Sequence, residues 1–186
     1  MERFFLLTMA GFLPAIANAA TDKAEHDLPR PNILWLTFED TSPQFIGCYG
    51  DSLAKTPTMD KLAAEGVRFT SAFSTGTVSS PSRFCLITGM TPTTMGTGNH
   101  RSHYPIPDFV HGFPKYLKDA GYYTSNNYKT DYNNASERRM IAESWNESSG
   151  KAGWWKRKPG QPFFAVFNSP HSHQSRTMTN PWEVYE

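Results

Sequence analysis

Cysteine is scarce in this chain. Cys48 and Cys85 are the two in 186 residues, so no disulfide framework holds the fold and a hydrophobic core must do so. Cys48 lies in a glycine-flanked turn and Cys85 inside a short helical stretch, a placement that does not favour pairing. Net charge is nearly absent as well, at +1 with 19% charged residues. Lys156-Arg157-Lys158 is a short basic run that reads as a solvated loop, so nucleic acid is not an expected partner. Long apolar runs are missing too. The stretch Phe4 to Ile16 follows Arg3, contains Pro14 and ends at Ala17-Asn18-Ala19. It is too short to cross a bilayer and reads as a secretory signal peptide over residues 1–19, which predicts export to the periplasm or beyond and no membrane span. Residues 20–30 read as an exposed polar leader, and 31–186 have the size of one ordinary domain.

What is present is an alternation of short apolar runs and helical patterns. Ile33-Leu34-Trp35-Leu36-Thr37-Phe38 is nearly continuous in apolar, β-favouring residues, as expected for a parallel strand buried on both faces. It stops at Glu39-Asp40, two hard-oxygen ligands for Ca²⁺ or Mg²⁺ at the carboxyl end of a strand, where open α/β sheets place their ligands; a solvated strand end is the other reading. Thr56 as cap, Pro57 at the first position and Gly66 as stop predict an amphipathic helix with Met59, Leu62 and Ala63 on its apolar face. Val67 to Phe73 alternates and predicts a strand or an extended segment. Phe113 to Ala120 predicts a second helix ended by Gly121, and Tyr122 to Tyr128 a strand with Lys129 at its end. Residues 137–160 are polar and carry Trp145, Trp154 and Trp155, which either pack inside or stack on sugar rings. Pro162-Phe163-Phe164-Ala165-Val166-Phe167-Asn168 predicts a further buried strand. The alternation predicts an α/β fold with a doubly wound sheet.

The chemistry concentrates in Ser79-Ser80-Pro81-Ser82-Arg83-Phe84-Cys85-Leu86-Ile87-Thr88-Gly89. Pro81 suits the first helical position and Gly89 the left-handed residue that ends a helix. Ser79 then sits at a helix N-terminus, where free N–H groups favour a tetrahedral oxyanion, and Arg83 adds a planar fork of donors. An ordinary Ser-capped helix with a solvated Arg is the alternative. Residues 90–107 form a long Thr, Gly and Pro-rich loop with Asn99-His100-Arg101-Ser102-His103 in its middle. His100 and Arg101 are candidates to bind an anionic substrate, or are plain loop residues. After the last strand come His171 and His173.

The eleven-residue stretch resembles the sulfatase signature, C-or-S-x-P-S-R followed by a short run and T-G, and T-P-x-x-D-x-L-A-x-x-G-V-x-F-x-x-A-F over residues 56–73 resembles the same family's N-terminal region. The resemblance runs from about Pro31 to Arg176. It implies an alkaline-phosphatase-like fold and hydrolysis of sulfuric esters or sulfamates of sulfated saccharides or aryl sulfates. The family resemblance also implies formylglycine made from Ser79 by a sulfatase-maturing enzyme, and calcium held by Glu39, Asp40 and the modified Ser79. Arg83 and Lys129 would hold the sulfuryl oxygens and His173, with His171 as the competing choice, would protonate the leaving group. The wording around residues 126–133 and 173–176 is similar to N-sulfoglucosamine sulfohydrolase-like sulfatases. Three departures stand out: Ser instead of Cys at position 79, Glu39 where an Asp is usual, and Lys129-Thr130-Asp131 in place of Lys-x-His. Family members run to several hundred residues, so 31–186 is expected to be the N-terminal part of a truncated catalytic domain, with an exposed sheet edge. A phosphate or phosphonate ester hydrolase using unmodified Ser79, and a non-catalytic anion- or glycan-binding remnant, stay open as alternatives.

Overall fold

The structure is a computed structural model in which residues 30–178 are described. The expected signal peptide over 1–19 and leader up to residue 29 lie outside the described residues. Four strands form one parallel sheet: β1 (Ile33–Phe38), β2 (Tyr123–Asn127), β3 (Glu147–Ser149) and β4 (Phe163–Ser169), in the order β1-β4-β2-β3. β4 is central, pairing Ile33 with Phe164 on one side and Tyr123 with Phe163 on the other. Five helices accompany it: α1 (Pro57–Glu65), α2 (Ser79–Thr88), α3 (Pro114–Asp119), α4 (Glu137–Ser144) and α5 (Ser175–Met178).

Side-chain alternation divides the sheet into two unlike faces. On one face Ile33, Trp35, Phe164 and Val166 meet Phe84 and Ile87 of α2, Leu117 of α3 and Met140 of α4 in a single core, joined by Trp145 and Tyr132. Trp145 stacks on Phe164 at 5.7 Å and its indole N–H donates to the Tyr132 hydroxyl at 3.0 Å, so the polar edge of a buried Trp is satisfied. On the other face Trp154 stacks on Phe163 at 5.0 Å, while Trp155 lies largely exposed. The three Trp residues therefore divide between core and surface.

β1 corrects the expectation of a strand buried on both faces. Its burial alternates, and Leu34, Leu36 and Phe38 are exposed, Leu36 by 60%. β1 stands at the edge of the four described strands, and these side chains are open to solvent. Three further expectations change. Residues 67–73 form no strand, and Val67, Phe69 and Phe73 are exposed. Helix α1 forms where expected yet buries no residue, and Thr56 makes no side-chain cap. The Thr56 hydroxyl instead accepts the Gly47 N–H at 2.9 Å and donates to Asp60 at 3.0 Å, while Asp60 accepts the Cys48 N–H at 2.7 Å. Those polar side chains tie α1 to the Gly47–Tyr49 turn rather than to its own first turn. Cys48 and Cys85 are both free thiols.

Candidate active site

Helix α2 brings the signature to the carboxyl ends of the strands. Its boundaries shift the expected geometry: Val78 is the capping residue, Ser79 is the first helical residue, and Pro81 is the third rather than the first. Ser79 therefore does not cap the helix. Pro81 is tolerated because the first-turn N–H groups have no intrahelical acceptor in any case, and the free N–H donors at this end belong to Ser79 and Ser80. Gly89 ends the helix with φ of 69°, as its lack of a Cβ permits.

Arg83, one turn into α2, points into a buried polar cluster. Its Nη2 donates to Glu39 Oε1 at 2.6 Å and its Nη1 to Asn168 Oδ1 at 3.0 Å. Lys129 Nζ, just past β2, donates to the second oxygen of Glu39 at 3.1 Å. Glu39 is 7% exposed, so two cations share one buried carboxylate. Burial pushes the Glu39 carboxyl up, but the hydrogen bonds and charges of Arg83 and Lys129 outweigh it and hold the group below the usual carboxylate range. Asp131 stands at 4.0 Å from Lys129 Nζ, at the limit of an ion pair.

Asp40 turns the other way. It is exposed, holds φ of 47°, and accepts the Gln174 N–H at 2.8 Å. The Ser172 hydroxyl donates to the Glu39 carbonyl, so the loop after β4 is fastened on both sides of His173 to the end of β1. Asp40, Ser79, His100, Arg101, Lys129, Asp131 and His173 then line one open cavity of about 620 Å³. His173 Nδ1 accepts the Ser175 N–H at 3.2 Å and lies 2.7 Å from the Ser175 hydroxyl. His171, exposed and within 2.9 Å of Ser169, lines none of the cavities that contain Ser79. The structure thus brings together Ser79, Arg83, Lys129, Glu39, Asp40, His100, Arg101 and His173, and leaves His171 outside.

Residues 97–103 are held by two buried side chains that local sequence reading passed over. The Ser80 hydroxyl accepts the Arg101 N–H at 3.1 Å and lies 3.0 Å from His100 Nδ1. Asn133 donates to the carbonyls of Thr97 and Asn99 at 2.6 and 2.9 Å and accepts the Ser102 N–H at 2.7 Å. Arg101 sits at φ of 54°, a left-handed conformation fixed by these contacts. The only signals for them were Ser80 beside Ser79 and the asparagines following Lys129.

For a calcium ion the donor set of Glu39, Asp40 and Ser79 offers hard oxygen atoms along a second cavity, but both Glu39 oxygens already pair with Arg83 and Lys129. In number it falls short, since among the described residues no group of three or more His, Cys, Asp or Glu side chains is close enough to hold a metal. No helix among the described residues is long and apolar enough to cross a membrane.

A parallel α/β sheet with Arg83 and Lys129 joined on one buried carboxylate at its strand ends sets the architecture, and comparison with known proteins gives the family. The sulfatase family model matches residues 31–186, and the chain belongs to that family. It is 41% identical over 158 residues to an ulvan-active sulfatase of Formosa agariphila, and 35% identical over 111 residues to an N-acetylglucosamine-6-O-sulfatase of Bacteroides thetaiotaomicron. These matches cover 78% and 60% of this chain but 26% and 19% of the relatives. A solved structure in complex with its substrate, D-glucosamine-2-N,6-O-disulfate, superposes with a TM-score of 0.64 at 26% identity, covering 78% of this chain and 35% of that one. The fold is thereby the α/β architecture of sulfatases, and the chain spans about a quarter of the length of the curated relatives it matches.

Proposed function

We propose that this chain carries the sulfuryl-binding half of an exported hydrolase that removes sulfate from a sulfated saccharide. The observation that carries this reading is the shared carboxylate: Glu39 fixes Arg83 and Lys129 side by side, and the cavity that Lys129 lines also contains Ser79. Glu39 occupies one Nη2 hydrogen of Arg83 and one hydrogen of Lys129, so further donors on both remain for the oxygens of a tetrahedral anion. Gripping those oxygens most strongly as negative charge develops on them lowers the barrier. His173, which lines the same cavity as Ser79, supplies a proton to the departing saccharide oxygen or nitrogen. His100 and Arg101, pinned by Ser80 and Asn133, contact the saccharide beyond the sulfate; His171 is the weaker candidate for the same task because it lies outside the cavity.

Formylglycine made from Ser79 by a maturing enzyme would supply the hydrated aldehyde whose oxygen attacks sulfur, and Ca²⁺ held by Asp40 and Glu39 would supply the charge that acidifies it. Ser79 is half-buried, lines both cavities and makes no side-chain hydrogen bond among the described residues, which fits a position open to modification. The test is the mass of the peptide spanning Ser79, purified from the whole enzyme made alongside a sulfatase maturase. Loss of two hydrogens, together with sulfate release from a sulfated amino sugar, is the expected result. Unmodified serine with turnover of a phosphate or phosphonate ester would overturn the sulfatase reading in favour of the ester hydrolase. Anion binding without turnover of either substrate would leave a binding remnant.

A further inference from the structure

Asn168 stands at the carboxyl end of the central strand β4, is 6% exposed, and faces the core side of the sheet. Its amide is fully used. Oδ1 accepts from Thr37 Oγ1 on β1 at 2.8 Å and from Arg83 Nη1 on α2 at 3.0 Å. Nδ2 donates to Asn126 Oδ1 on β2 at 3.0 Å and to the Asn127 carbonyl at 2.8 Å, with the Lys129 carbonyl at 3.4 Å. Asn126 Nδ2 in turn donates to the same Lys129 carbonyl at 3.1 Å. An amide has two donor hydrogens and two acceptor lone pairs, and here all four are engaged, so its orientation is fixed by its partners: a flipped amide would set donor against donor at Arg83. One side chain thus bridges the guanidinium of Arg83 and the backbone that carries Lys129, three strands and a helix meeting at a single buried group.

We propose that Asn168 is the positioning residue of this site, holding Arg83 at a set distance from Lys129 so that both cations meet the same sulfuryl group; this rests on the sulfatase reading above. Glu39 binds the tips of both cations, while Asn168 binds the other terminal nitrogen of Arg83 and, with Asn126, the backbone carbonyl of Lys129. Without the amide, the pair is tied by Glu39 and by one long contact, 3.5 Å from Arg83 Nη1 to the Lys129 carbonyl, and the two can move together off the anion. Loss of position falls on the transition state more than on the bound ground state, because the fit to the developing charge is what the geometry sets.

The test uses Asn168→Asp and Asn168→Ala in the whole, matured enzyme, with sulfate release and thermal unfolding measured on each. Asn168→Asp keeps the volume but cannot donate to Asn126 and the Asn127 carbonyl, and it adds a second carboxylate beside Arg83. Both variants are expected to lose roughly tenfold or more in kcat with KM changed less, Ala through the bond lost to the Arg83 guanidinium and Asp through the donors lost to Asn126 and the Asn127 carbonyl. Thr37→Val, which removes a hydrogen bond to the same Oδ1 without touching either cation, is expected to change kcat by much less. Wild-type kcat in a folded Asn168 variant, or failure of both variants to fold, would overturn the proposal and leave Asn168 as a core residue only. A wild-type enzyme inactive on every sulfate ester would instead overturn the sulfatase reading itself, so the two failures are distinct.

Discussion

Arg83 donates in different directions, to Glu39, to Asn168 and at 3.5 Å to the Lys129 carbonyl, and keeps donors for a further partner. A lysine there offers one point of charge and cannot span these while reaching an anion. Arg83→Lys is therefore expected to lower kcat by about 10²–10³, the effect of removing one oriented donor from a charge-stabilising site. Near-normal steady-state kinetics would make Arg83 structural. Glu143 offers a test away from the site. Burial raises its pKa, but the hydrogen bonds of His111 at 2.7 Å and of Arg139, with their charges, outweigh burial and hold the carboxyl below its usual range. A lowered folded-state pKa means the unfolded chain takes up the proton first, so the stabilisation is present above the ordinary carboxylate pKa and is lost as pH falls through the lowered one. Thermal unfolding of Glu143→Gln should accordingly show a flatter acid limb than the wild type. The places of Ser79, Arg83 and Gly89 at the start, the second turn and the end of one helix were legible because they follow from spacing within it. Asn168 was not, because its partners come from β1, β2 and α2, and nothing in a local window shows that a polar residue ending an apolar run meets a buried guanidinium.

At the scale of elements, the core depends on the aromatic contacts that clamp the helices to β4. Phe164 touches Trp35, Phe113 and Trp145 at ring separations of 6.2, 5.3 and 5.7 Å and is 2% exposed. Phe164→Ala should cost about 3–5 kcal/mol in denaturant unfolding, the usual loss for a buried aromatic; a loss below about 1 kcal/mol would mean that the cluster is not the core. The places of β1 and β4 could be read in advance because their apolar runs end at acidic or turn residues, and that of β2, polar over most of its length, from the helix stop at Gly121 before it. That residues 67–73 take the other of the two expected forms, with no strand, has a physical cause. Alternation sets a strand only where a partner edge exists, and no described strand lies beside Val67, Phe69 or Phe73. For α1 the helix signals were sufficient and the packing inference was not, since its apolar positions meet no described surface. β3, three residues long, has too short a run to register in the sequence.

For the whole molecule, the arrangement places every described site residue at one end of a parallel sheet, with the core beneath it and the cavity open above. The two-carboxylate donor set predicts that this chain by itself binds Ca²⁺ weakly, towards the 10⁻⁴–10⁻³ M end of protein sites; calorimetric titration showing micromolar binding would mean that the ligands here are already sufficient. The central claim is that Ser79, beside the cation pair fixed by Glu39, is where sulfur is attacked. Its most direct test is sulfate release from a sulfated amino sugar by the whole matured enzyme, compared with its Ser79→Ala variant at equal folded concentration. Because Ser79 makes no cap and no side-chain hydrogen bond among the described residues, Ala should leave stability within about 0.5 kcal/mol. Turnover should vanish in the folded variant. Sulfate released by Ser79→Ala at the wild-type rate would contradict the account.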